Sequence, residues 1–187
     1  MTAIYVIVKY LTVVGSFSKA FFEHLTARVY GVLVEDGRYL ANSEMCGHIE
    51  HEFITKRGVC FGMCFFPFIF NFILGLMFLS AGAMDILYIG IFFVKTNIPN
   101  FFGYLFLWLG ISMFTNLFPQ WEDALTLKEL IYGKGRSNLF VKIIAAPFFA
   151  LFYLGSLLEK TGLSLLTSIG FTFALIEIYK LIIPSIA

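Results

Sequence analysis

Apolar residues run in long blocks along this chain, and polar or charged residues gather in a few short stretches between them. Residues 3–34 are apolar in the first half. The second half is amphipathic, Ser18-Lys19-Ala20-Phe21-Phe22-Glu23-His24-Leu25-Thr26-Ala27-Arg28, which predicts helix over most of the segment with its polar groups on protein or water. Residues 59–83 predict a second apolar helix carrying Pro67 and Asn71, which a membrane helix tolerates when neighbours re-satisfy the backbone. Residues 101–118, 139–158 and 163–183 predict three more, the last two joined by the tight Glu159-Lys160-Thr161-Gly162 connection. Pro147 marks a kink and Pro184 a stop. Residues 86–94 are too few to span before Lys95 and the Asn97-Ile98-Pro99-Asn100 breaker, so they either extend the second helix or form a half-span.

Two stretches break this helical pattern. Val32-Leu33-Val34-Glu35-Asp36-Gly37-Arg38-Tyr39-Leu40 places Asp-Gly between short β-prone runs, the local signal for a two-residue hairpin. Residues 41–58 hold Glu44, Cys46, His48, Glu50, His51, Glu52, Lys56 and Arg57, too many charges to face lipid, so they lie outside the bilayer or line a cavity. The expected fold is an all-α, polytopic membrane protein of about five transmembrane helices, with a small β-hairpin insertion after the first helix. It forms one membrane domain over residues 1–187.

Composition strengthens this picture: 59% of residues are hydrophobic, 13% are charged and 24 are phenylalanine, so lipid is the expected solvent and the location integral and multi-pass. A net charge of +1 without a concentrated basic face argues against nucleic acid as a partner. Three cysteines do not make a disulfide framework. Lys9 interrupts the apolar N-terminus and no cleavage site clearly comes after it, so the segment reads as retained. If residues 86–94 do not cross, Arg28, Arg38, Lys56, Arg57, Lys128, Lys134 and Arg136 fall on one side, the cytoplasmic one, with Lys95 and Lys160 opposite.

Two constellations and two pairs of residues are candidates for chemistry. Cys46-Gly47-His48-Ile49-Glu50-His51-Glu52 holds residue types that bind zinc or iron, but its spacing fits no standard ligand set; a strand would set His48, Glu50 and Glu52 on one face and His51 on the other, and a polar edge strand explains the pattern as well. Asn116-Leu117-Phe118-Pro119-Gln120-Trp121-Glu122-Asp123 comes at the end of the third apolar helix, where Pro119 frees carbonyls beside two carboxylates; it makes Asn116, Pro119 and Asp123 candidate cavity residues. It also fits an interfacial Trp121 leading into the acidic first turn of a helix. Glu177 and Lys180 are placed to pair across three helical positions, and Cys60 and Cys64 share a helix face as packing residues.

Over residues 15–130 the order of elements resembles the small site-2-protease-like membrane zinc metallopeptidases. The family pattern is a His-Glu-x-x-His helix, a β insertion, and a later Asn-x-x-Pro-type segment ending in a metal-binding aspartate. Glu23-His24 through Gly31-Val32 is similar to the stretch that begins at the second metal histidine. Gly47 to Glu52, and then Pro67 with Asn71, are similar to the next segments of the small members. Trp108-Leu109-Gly110-Ile111-Ser112 through Asn116, Pro119 and Asp123 is similar to the third core helix and its aspartate motif. Residues 138–187 add two further transmembrane helices. The resemblance implies His24 and Asp123 as the metal-ligand positions, yet places Ala20 where the first histidine belongs and Phe21 where the general-base glutamate belongs. Neither residue binds zinc or moves a proton.

The leading expectation is therefore a catalytically silent, protease-like membrane scaffold or subunit of a larger membrane complex. It has no catalytic residues, no metal or other cofactor, and the lipid bilayer and other membrane subunits as partners. One alternative is an active metalloprotease whose zinc recruits His48, His51 or Glu23 beside His24 and Asp123. Another is a small transporter or channel subunit using Asp85, Lys142, Glu177 or Lys180.

Overall fold

A computed structural model describes residues 3–40, 46–90, 101–133 and 138–182. The described chain is mostly helical: α1 (Ala3–Leu11), α2 (Val13–Tyr30), α3 (Arg57–Gly82), α4 (Phe101–Thr115), α5 (Trp121–Tyr132), α6 (Leu139–Thr161) and α7 (Ser164–Ile182), with β1 (Val34–Arg38) and β2 (His48–His51) between α2 and α3. Three helices are long and apolar enough to cross a membrane, Arg57–Leu87, Leu139–Thr161 and Ser164–Ile182; the count reaches four if α1 and α2 are one broken span. At 15 residues α4 is shorter than the ~20 needed for a full crossing. By length and composition the described residues thus hold three or four candidate spans, and the expected count of about five is not confirmed.

The first segment is not one helix: α1 and α2 meet at an angle of 89°. Polar groups account for the break. Trp108 Nε1 donates to the Leu11 carbonyl at the end of α1 (3.0 Å), and Asn116 Nδ2 donates to both Thr12 Oγ1 (2.8 Å) and the Thr12 carbonyl (3.2 Å). Groups on α4 and at its end thereby bond the backbone acceptors at the corner, the Thr12 carbonyl in addition to the Ser16 N–H that it already accepts. The bend also turns Lys9 inward, where it is buried. α2 ends at Gly31, whose φ of 66° is the left-handed conformation that glycine adopts without Cβ strain.

The hairpin differs from the expected two-residue turn. Asp36 and Gly37 lie inside β1, which pairs antiparallel with β2 in the register Val34↔His51, Asp36↔Glu50, Gly37↔Ile49 and Arg38↔His48, with a bulge between Val34 and Asp36. The reversal instead reaches Gly47 (φ 78°), whose N–H donates to the Arg38 carbonyl. This longer register seats Ile49 in the core and joins Arg38 Nη2 to Glu50 Oε2 (2.6 Å), contacts that a turn at Asp36-Gly37 forgoes.

α3 continues into a π-helical stretch, Ala83–Gly90, so the first part of the 86–94 segment extends the second apolar helix. Glu44, Lys95, Lys134, Arg136 and Pro184, with residues 91–94 and the 97–100 breaker, lie outside the described residues. α3 and α4 make the most extensive helix pair. Gly82 lies against the Leu107 backbone and Gly110 against the Leu79 backbone, and the missing side chains allow this approach. One core joins α2, β2, α3, α5 and α6 through Ala27, Ile49, Cys60, Cys64, Leu127 and Phe152; a second joins α3, α4 and α7 through Leu79, Phe114, Leu117 and Leu175. Cys60 and Cys64 are free and buried, as packing residues are.

Candidate functional site

The inward face of α2 runs through Gly15, Lys19, Glu23 and Ala27, one residue per helical turn. Small residues at both ends let neighbouring elements approach; the two charged residues between them need partners, because an isolated buried ion is very costly. α1 supplies Lys9, β2 supplies His48, the end of α6 supplies Glu159, and the turn between α4 and α5 supplies the peptide groups of Phe118.

Glu159 is the centre of the cluster. Its Oε1 accepts from Lys9 Nζ (2.6 Å) and Lys19 Nζ (2.8 Å), and its Oε2 accepts from the Phe118 N–H (3.2 Å). Lys19 also donates to the Phe118 carbonyl and lies 3.3 Å from His48 Nε2. An ammonium has no acceptor, so His48 Nε2 accepts and Nδ1 is left to donate to Glu23 Oε1 (3.0 Å). Glu23 Oε2 takes the Ile49 N–H (3.1 Å). The three hydrogens of Lys19 and both oxygens of each glutamate are thus engaged, and the formal charges of two lysines and two glutamates cancel.

Beside this cluster lies a cleft of about 530 Å³ between the hairpin, the start of α5 and the end of α6. His48 and Glu159 reach it from the cluster, and Arg38, His51, Trp121, Asp123 and Lys160 line it. Its walls are held by their own pairs: Arg38 with Glu50, His51 Nε2 with Asp123 Oδ1 (3.3 Å), Ser156 Oγ donating to the Pro119 carbonyl (2.7 Å), and Lys160 over the Trp121 ring at 5.1 Å. Arg38 and Lys160, which the charge grouping set on opposite sides, both line this cleft.

Asp123 lifts His51 to about 9 from an ordinary 6.5, first through their hydrogen bond and then through its charge, with burial opposing both. A folded value above the unfolded one means that the pair's stabilisation is complete below pH ~6.5 and fades as pH rises through about 9. Asp123→Asn is expected to bring the His51 midpoint back toward 6.5. An imidazole NMR titration measures this, and an unchanged midpoint would show that Asp123 is not the cause.

The candidate residues from sequence scatter. Pro119, Asp123, His48 and His51 meet at the cleft. Asn116 does not; it is fully buried and stitches Thr12, Ser16 and Ser112 together. His24 lies in a different hollow with Phe21, Leu25, Arg28 and Tyr39, its Nδ1 3.1 Å from the Tyr39 hydroxyl, whereas Asp123 lines the cleft. Phe21 is half exposed and Ala20 is buried. Lys19, Ala20 and Glu23 are therefore all buried, and of the two positions that the resemblance implies on this helix only His24 falls outside the inward face. Glu177 and Lys180 do pair, at 2.7 Å on the surface of α7.

Zinc does not fit the inward face of α2, where the first side chain is an ammonium with its hydrogens donated and the second a carboxylate bonded at both oxygens to His48 and the Ile49 N–H. Among the described residues, no three His, Cys, Asp or Glu side chains converge as a ligand set. Sequence reading missed Lys9, Lys19 and Glu159 as a site. Its usable signals were a lysine inside an apolar block and the Lys19–Glu23 spacing of four. Comparison with protein-family models, curated proteins and solved structures finds no match to this chain, so the protease resemblance rests on its own residue pattern alone.

Proposed function

We propose that this chain is a non-catalytic, multi-pass membrane protein, a scaffold or subunit of a larger membrane assembly, that offers the cleft beside its hairpin to a partner protein or peptide. In this reading α3, α6 and α7 cross the bilayer, and the bent α1–α2 pair and α4 complete a bundle of five membrane segments.

One observation supports it above the others: the interior charged groups are bonded to one another. A metal site needs converging donors with an open position. Both oxygens of Glu23 and of Glu159 hold hydrogen bonds within the cluster, and no ligand set converges among the described residues. By contrast, the cleft beside them has volume, aromatic and charged walls, and the exposed Glu35 and Glu122 at its rim, features of a surface that recognises polypeptide. The exposed apolar side chains of α6 and α7, among them Phe140 at 72% and Leu166 at 65%, suit lipid or neighbouring subunits.

Protein purified from membranes without added metal is expected to carry no stoichiometric zinc by elemental analysis and to leave membrane-embedded peptide substrates intact. A photocrosslinking residue at position 121 should capture a protein in native membranes. Stoichiometric zinc together with chelator-sensitive cleavage would overturn the non-catalytic reading, and crosslinks to lipid alone would overturn the scaffold.

A further inference from the structure

A second cavity, of about 440 Å³, lies within the bundle between α3, α4, α6 and α7. α6 packs mainly on α5 and α7 mainly on α4, and the two touch each other sparingly after the Gly162 turn, so a crevice opens between them. Phe68, Phe72, Phe114, Phe118 and Phe171 form its wall as a ladder of ring contacts, with centroids 4.8–6.1 Å apart, and Leu151, partly exposed, stands at its edge.

The lining specifies the occupant. Its two polar side chains are already bonded: Thr167 Oγ1 donates to the Ser164 carbonyl, and the Ser168 hydroxyl is shared with Thr115 Oγ1 (2.9 Å) and the Leu165 carbonyl (2.8 Å). Water needs two to four polar partners to settle in a buried site, and this wall offers no more than spare lone pairs on two hydroxyls. The volume matches about one turn of an α-helix of diameter ~10 Å and pitch ~5.4 Å, so a crossing helix from a partner does not fit inside. A single hydrocarbon chain does, and the flanking helices carry exposed apolar side chains such as Leu154 and Phe173 on their outer surfaces.

We infer that this crevice is a binding site for the acyl chain of a membrane lipid, held between α6 and α7 against the phenylalanine ladder. The inference rests on the proposal that the chain is a membrane protein. Binding would be distinct from the general lipid coat, because the chain is gripped by interior rings and not by the outer faces of the helices.

The test uses the full chain in phosphatidylcholine liposomes containing a phosphatidylcholine with a photoactivatable diazirine in its acyl chain. Adducts are mapped by mass spectrometry. Labelling is expected at Phe68, Phe72 and Phe118, saturating at a lower mole fraction of probe than labelling at the outward Leu154 and Leu166. Leu151→Trp, which narrows the opening, should reduce interior adducts at least fivefold and leave the outward ones unchanged. Adducts confined to outward positions, or a crosslink to a second copy of the chain in place of lipid, would overturn the site. The map of the unaltered protein decides this even if the variant fails to fold. Failure of the chain to resist alkaline extraction from the liposomes would instead remove the membrane reading itself, so the two failures are told apart.

Discussion

Glu159→Gln should lower stability by about 3–5 kcal/mol, the usual cost of removing one partner from a buried ion pair. Glu159 is 4% exposed, and Lys9 and Lys19, at 2% and 1%, lie on the same carboxylate oxygen, so one substitution leaves two buried ammonium groups with Glu23 alone to balance them. The amide also cannot accept from both lysines and the Phe118 N–H as the carboxylate does. Unfolding in detergent, monitored by size exclusion and circular dichroism, measures the effect. Replacing the whole set, Lys9→Met with Lys19→Met and Glu159→Leu, is expected to recover much of the loss, since buried pairs exchanged for apolar groups of similar volume are often neutral. A Glu159→Gln protein that unfolds like the wild type would show that the cluster is not what fastens α1, α2 and α6.

Gly110→Val carries the second large effect. A Cβ at Gly110 meets the Leu79 backbone nitrogen and Cα, which cannot swing aside as a side-chain tip can, so α3 and α4 must separate. Overpacking of this kind costs about 1–3 kcal/mol and sometimes more. Gly170→Val on α7 is the matched control, because nothing lies within 4 Å of its Cβ position. Its melting temperature should move little, while Gly110→Val lowers the temperature clearly. Equal shifts in both would assign the loss to helix propensity and not to the crossing.

Much of the fold was legible because apolar length is a strong signal. The helices at 57–87, 139–161 and 164–182 come directly from uninterrupted apolar runs with few charges. The corner at Thr12 was not legible: no proline stands at it, and the Asn116 side chain that bonds it lies 104 positions away in sequence. The hairpin turn failed for a related reason. Asp36-Gly37 is a good local turn, but cross-strand pairing and the burial of Ile49 favoured a register that runs through it.

The site was legible only in pieces. His48, His51, Pro119 and Asp123 were named from residue type and do share the cleft. Helical register separated the rest: one position on an α-helix is a rotation of about 100°, enough to carry His24 to an outer hollow and bring Glu23 inside. Glu159 read as part of a tight connection because its partners, Lys9 and Lys19, lie 150 and 140 positions before it.

Phe118 occupies the border between two unlike surroundings. Its ring lines the hydrocarbon crevice, while its N–H and carbonyl are gripped by Glu159 and Lys19. The backbone at 118 is therefore fixed from the charged side, and the ring takes its place at the crevice from that fixed point. An apolar wall is thus positioned by a salt-bridged anchor one covalent step away.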